Sequence, residues 1–320
     1  MIKINKNEFI ERKHKEWFNS FILPKLKDKI REKEGSNLDN EYINFLKKLD
    51  SEDTCILNNL NMLELIKEFE KLENKKNYIE ELKEIFNYDY FSKRDPKNWG
   101  RHKLITSLNI KVCPYCQRNY ISSYEENESK SNKTTADLDH FYPKAEYPFL
   151  ALSLYNFIPS CQICNSRMKG KKSVYDKKSK KNKIIHPYEG DFKGVFKTEE
   201  KILEVLLGNE SEFKVIIDSK NDLETFETIS MLKLDKVYER THNDYLLNMI
   251  ENIKNKPETY LESIAELFTN ENIENKEKIK EIILKSLKEL VIEPYKFRIE
   301  NGEPLAKLTK DILEEFDIEI

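Results

Sequence analysis

The sequence predicts an α+β protein in which a small, cysteine-rich centre is flanked by mainly α-helical N- and C-terminal regions. Three observations predict it. Hydrophobic residues make up 38% of the 320-residue chain and charged residues 35%, the balance of amphipathic helices with well-solvated faces. There are only 7 glycines, too few for a glycine-rich phosphate loop or a large all-β fold. Four of the 5 cysteines, three of the 5 histidines and six of the 10 prolines fall between residues 96 and 190, so the texture changes there and changes back.

Residues 1–95 read as helical. Met62, Ile66 and Phe69, joined by Leu65 and Leu72, follow the 3.6-residue period. Cys55 stands alone just before them and reads as a buried thiol. The segment FSKRDPKNWG, residues 91–100, carries the Pro and Gly expected at a boundary. In residues 96–192, short β-type pieces such as KTTADLDHF alternate with turns. Thr134, Thr135, Ala136 and Leu138 suit a strand that ends at His140, stopped by Pro143. Gln162 to Lys169 suits a helix. Residues 193–320 open with strand-like alternation, Phe213, Val215 and Ile217 on one face. They continue as helices with one stripe of Tyr260, Ile264, Leu267 and Phe268 and another of Ile279, Ile283, Leu287 and Leu290, both expected in the core.

No apolar run approaches the roughly 18 residues of a membrane span. The opening MIKINKNEFIERKHKEW lacks the apolar core of a signal peptide. A cytoplasmic protein with reduced thiols is expected, so the cysteines point to metal before disulfide. The net charge of −3 hides a split, because Asp95 to Glu189 holds 17 Lys/Arg against 9 Asp/Glu. The excess peaks in SRMKGKKSVYDKKSKKNK, residues 166–183, with nine basic residues and one acidic. A basic centre in an acidic chain suggests a local polyanion site; a solvated lysine loop is the plainer alternative.

The centre contains CPYC (Cys113, Cys116) and CQIC (Cys161, Cys164). Each C-x-x-C turn can aim two thiolates at one tetrahedral zinc, and two such turns make a closed, structural site. The 44 residues between Cys116 and Cys161 exceed the linker of a simple zinc ribbon, so the loop encloses something else. It encloses ADLDHFYPK, residues 136–144. Asp139 and His140 are either a metal ligand beside a general base or two polar residues where a strand meets a turn. Asn156 follows, and Asn165 comes directly after the second cysteine turn.

The order Asp-His, Asn, then C-x-x-C-Asn with a basic tail resembles the HNH endonuclease family over residues 110–190. Asn156 lies nine residues before Asn165, the spacing of that pattern. The resemblance implies a zinc-stapled ββα-metal core and a phosphodiester hydrolase. Asp139 and Asn165 would be ligands of a catalytic Mg²⁺ or Mn²⁺, oxygen donors suited to a hard cation. His140 would be the general base and Asn156 the residue that braces the loop and orients it. Arg167, Lys169, Lys171, Lys172, Lys177 and Lys178 would meet nucleic acid, double-stranded DNA first, with RNA an alternative for the same site. Lys169 departs from the pattern, lying four residues after Asn165 where three is commoner. HPYEG, residues 186–190, looks like a closing element. His102, Tyr142 and Lys144 are further candidates to line the groove. DHFYPK-type sites look like those of anti-phage systems such as Septu, in which the nuclease is paired with an ATPase. An inactive zinc-stapled module that binds nucleic acid or a partner is the alternative of another class.

Overall fold

Asn7 opens the first helix by accepting the backbone N–H groups of Phe9 and Ile10 at 2.9 and 3.2 Å, and Glu8 and Glu11 lie in its first turn, where the helix dipole favours acids. The structure, a computed structural model, describes residues 1–34, 40–51, 53–95, 97–124, 133–199, 205, 212–254, 263–266 and 276–318. It divides into two compact units: residues 1–192 with 223–232, and residues 193–222 with 233–320.

The first unit begins with α1 (Glu8–Phe21), α2 (Leu23–Glu34), α3 (Asn40–Ser51), α4 (Asn59–Phe69), α5 (Lys75–Ile85), α6 (Asp89–Ser92) and α7 (Arg101–Leu108). Asn58 caps α4 by accepting from Asn61 N at 2.9 Å. Met62, Leu65, Ile66, Phe69 and Leu72 are all buried, as their period implies. Each such side chain contributes about 1.5–3 kcal/mol on leaving water. These helices pack in the same unit as the cysteine-rich region. Phe91 of α6 stacks on Phe157 with ring centroids 5.4 Å apart, and Trp17 of α1 meets Phe91 at 4.8 Å.

The strands are short antiparallel pairs: β1 (Ser123–Tyr124) with β2 (Lys133–Thr134), β3 (Asp137–His140) with β4 (Phe157–Ser160), and β5 (Tyr175–Asp176) with β6 (Lys181–Asn182). Thr134 belongs to β2 and not to the strand that ends at His140. The Thr134 and Thr135 hydroxyls accept from Ala136 N and Ser122 N at 3.0 and 2.8 Å, and such side-chain bonds interrupt a ladder. In the β3–β4 pair Asp139 faces Ile158 and His140 faces Phe157. A π-helix, Ile163–Lys169, follows β4, so strand, strand and helix succeed one another around the loop. Gly170 ends that helix at φ +54°, ψ −133°, a conformation that suits glycine.

The second unit contains β7 (Val195–Thr198), which pairs with β8 (Val215–Asp218), and helices Leu234–Tyr238, Asn243–Lys254, Lys276–Glu300 and Ala306–Glu315. Phe213 and Val215 are buried with Phe196, Leu246, Ile250 and Ile312, and Ile217 packs against them. Asp311 accepts from Phe196 N at 2.8 Å and from Lys307 Nζ at 2.9 Å, joining β7 to the last helix. One expected core stripe is corrected. On Lys276–Glu300, Ile279 and Ile283 are half-buried, while Leu290 is 67% exposed, because the packed face of this long helix passes through Tyr295 and Ile299. Tyr260, Leu267 and Phe268, and the Leu287 side chain, lie outside the described residues.

Candidate functional site

The first cysteine turn is closed by an isolated bridge between Val112 and Tyr120. Cys113 N donates to Asn119 O at 2.9 Å, and Gln117 N to Cys113 O at 2.8 Å, with Gln117 at φ +55°. Cys161 follows the end of β4, and Cys164 lies in the π-helix. The four Sγ atoms are buried and lie within 4.8 Å of one another. Sulfurs at about 2.3 Å from a tetrahedral zinc are roughly 3.8 Å apart, so four thiolates at this spacing suit such an ion. Asn119 Nδ2 donates to Cys161 Sγ at 3.2 Å, and Cys164 N approaches the same sulfur at 3.5 Å. Hydrogen bonds from Cys113 and its neighbours hold the Cys161 thiol well below the usual range, the direction that favours a thiolate ligand. Asn119 is a residue that sequence reasoning missed. Its signal was a polar side chain three places after the second cysteine of the turn.

Tyr115, between those two cysteines, is buried and donates its hydroxyl to Asp139 Oδ2 at 2.7 Å. Burial and the Asp139 carboxylate keep the phenol protonated and hence a donor. Lys169 Nζ reaches Asp139 Oδ1 at 3.0 Å and the His140 carbonyl oxygen at 2.7 Å. Lys169 is 1% exposed, so it does not stand on the surface with the other basic residues, and its expected part in nucleic-acid binding is corrected. The reason is local. Gly170 N bonds Asn165 O at 2.8 Å, five residues back, and the wider π turn absorbs the extra residue that separates Lys169 from Asn165. The lysine thus turns inward onto β3.

His140 is 9% exposed, with its ring edge-on to Tyr88 at 4.7 Å and to Phe157 at 5.3 Å. Nε2 lies 3.0 Å from Ala151 O. A carbonyl only accepts, so Nε2 carries the hydrogen and Nδ1 carries the lone pair. Burial, and then the Lys144 charge, lower the His140 pKa to about 3, so the ring is neutral at physiological pH.

Asn156 is fully buried. Its Oδ1 accepts from Tyr142 N at 2.7 Å, and its Nδ2 donates to Tyr142 O at 3.1 Å and Leu150 O at 2.9 Å. It therefore spans the loop from Tyr142 to Leu150 and fixes the backbone just before Ala151. Asn165 does not touch Asp139 through a hydrogen bond. Its Nδ2 donates to Asp137 Oδ2 at 3.0 Å, which leaves the amide oxygen as the atom a hard cation would take. Asp139 has both oxygens hydrogen-bonded, yet a carboxylate offers about four acceptor positions. Asp137 and Asp139 stand two residues apart on β3, and Asp137 holds the Asn165 amide while Lys169 holds Asp139. Asp137 was not singled out in the sequence, nor was Arg101, whose Nη2 donates to Ala136 O at 2.9 Å and lies 3.8 Å from Asp137.

Of the other basic candidates, Arg167, Lys171, Lys172, Lys177 and Lys178 are exposed. Lys172 donates to Met168 O and Met231 O, and Lys177 pairs with Glu70 at 3.1 Å. The lysine run is the tip of the β5–β6 hairpin, where Asp176 accepts from Lys178 N and Ser179 N at 3.1 and 3.2 Å. HPYEG packs into the same unit: Ile4 N donates to Pro187 O, and Glu189 meets Lys6 and Asn59 N.

The chain is similar to Septu protein PtuB of Bacillus thuringiensis, at 34% identity over 92 residues, 28% of this chain and 30% of that protein. It is also similar to Protein ea31 of Escherichia phage lambda, at 39% identity over 54 residues, 17% of each chain. Both matches cover less than a third of the relatives' own length. No family model and no solved structure matches the chain. Among the described residues no helix is long and apolar enough to cross a membrane.

Proposed function

We propose that this chain is an HNH-type, metal-dependent endonuclease that hydrolyses phosphodiester bonds in DNA. The carrying observation is the geometry of His140: Nε2–H is committed to Ala151 O, which leaves the Nδ1 lone pair to serve as the base. On this reading Nδ1 takes the proton of the attacking water, a role that contributes about 10²–10⁴-fold. Asn156 keeps the Ala151 carbonyl where it fixes the tautomer. Tyr115 and Lys169 hold the Asp139 carboxylate, and Asp137 holds the Asn165 amide. Asp139 and Asn165 would bind a Mg²⁺ or Mn²⁺ ion, which supplies charge neutralisation at the phosphate and the leaving oxygen. Zinc at Cys113, Cys116, Cys161 and Cys164 would be structural.

Arg167, on the helix that carries Asn165, and the exposed lysines after it would meet the DNA backbone. The likeness to a Septu protein supports a role in bacterial anti-phage defence. The Septu resemblance further implies an ATPase partner. The test is incubation of the purified protein with plasmid DNA and structured RNA, each with Mg²⁺, Mn²⁺ or EDTA. The reading expects divalent-dependent nicking of DNA. Cleavage of RNA alone would reassign the substrate, and cleavage unaffected by EDTA would remove the mechanism.

A further inference from the structure

A cavity of about 290 Å³ adjoins His140, and the helical N-terminal region supplies one of its walls. Phe86 and Tyr88 come from the turn between α5 and α6, while Lys144, Pro148 and Ala151 come from the loop between β3 and β4. Ala151, one of its lining residues, offers its carbonyl to His140 Nε2, and the Tyr88 ring packs edge-on against the imidazole. The Lys144 ammonium sits 4.4 Å from the Tyr88 ring centroid. The other charges around the cavity are satisfied within the protein. Asp89 pairs with Lys93 and Lys83 with Glu80, each at 2.6 Å. Lys144 is exposed above the Tyr88 ring and makes no ion pair among the described residues, with only the longer-range field of Asp89 acting on it.

We infer that this cavity is a subsite for one backbone phosphate of the substrate strand, bound by Lys144 with the adjoining sugar against Tyr88 and Pro148. The inference rests on the nuclease reading and adds a binding contact that the motif residues do not supply. Burial lowers the Lys144 pKa from the usual lysine value, a cost that an anion arriving beside it offsets. The chemistry selects a phosphodiester over a free base or a peptide: an unpaired cation above an aromatic face, beside the histidine loop, matches a sugar–phosphate unit of a strand that runs past the site.

The test uses the full chain carrying His140→Ala and a DNA duplex in which one neutral methylphosphonate linkage is walked along the strand. With Lys144 present, one linkage position should weaken binding roughly fivefold, the upper worth of a partly exposed ion pair. Lys144→Gln should weaken the unmodified duplex by the same factor, lower the salt slope by about one and become indifferent to that position. Lys144→Arg should restore the position effect. The inference is overturned if no position stands out, if Lys144→Gln still senses it, or if the duplex does not bind. Plasmid nicking by the wild-type chain is read in parallel. Nicking without a position effect removes the subsite alone, whereas a position effect without nicking removes the nuclease reading and leaves the subsite.

Discussion

Tyr115, held inside the first cysteine turn, donates its hydroxyl to Asp139 Oδ2 at 2.7 Å. The four-cysteine cluster and the proposed catalytic carboxylate are therefore joined through one hydrogen bond. Replacing Tyr115 by Phe removes a bond to a charged group, a loss of about 1.5–3 kcal/mol. Zinc content should be unchanged. Cleavage should fall and require more Mg²⁺ for half-maximal rate, because Asp139 is less well held. Titrating Mn²⁺ into the zinc-loaded protein by electron paramagnetic resonance checks this without relying on turnover; equal affinity in the two proteins would make Tyr115 a packing residue only.

Cys113→Ser and Cys164→Ser test the four-sulfur cluster. Each should lose about one zinc per chain, since a three-thiolate remnant no longer closes the tetrahedron. The unit built from residues 1–192 should become protease-sensitive. Metal analysis and limited proteolysis on the same preparation read both effects. A folded, cleaving protein without zinc would contradict this.

Lys169 and Asp139 form a buried ion pair, with side chains 1% and 5% exposed. Removing one partner of such a pair costs about 3–5 kcal/mol, while replacing both can be nearly neutral. Lys169→Met should therefore lower the melting temperature more than the double variant Asp139→Asn, Lys169→Met. Thermal melts of the four proteins of this cycle supply the coupling energy, and additive losses would mean that the pair contributes little.

His14 and His186 are buried and neutral, and burial lowers both pKa values to about 4. For His14 the bonding agrees, because Nε2 meets Leu152 O at 2.8 Å and Nδ1 accepts from Trp99 Nε1 at 3.3 Å. The unfolded chain takes up these protons near 6.5, the folded chain only near 4. Stability is whole above the unfolded value and is lost as pH falls toward the folded one. Tryptophan fluorescence melts between pH 7 and 4 should decline steadily, and His14→Gln should flatten the decline by about one proton. A flat profile in the wild-type chain would remove this account.

The cysteine turns were legible because each is a local C-x-x-C with its own geometry, and the strand ending at His140 because Pro143 stops it. The buried faces of α4 and β8 were legible from periodicity. Tyr115 and Asp137 were not, since nothing local marks a tyrosine that reaches a strand 24 residues on or an aspartate whose partner is 28 residues away. Lys169 misled because linear spacing assumes an α-helix; the π turn re-aimed its side chain. Leu290 misled because apolar periodicity does not say which stretch of a long helix finds a neighbour.

The most direct test of the central claim is plasmid nicking and melting temperature measured on the same samples of wild-type and His140→Ala protein. If Nδ1 is the general base, His140→Ala should keep its zinc, its fold and its DNA binding, and lose about 10²–10⁴-fold in rate. Raised Mn²⁺ should partly rescue Asp139→Ala but not His140→Ala, since added metal does not restore a proton acceptor. A well-folded His140→Ala protein that nicks at the wild-type rate would contradict the mechanism proposed here.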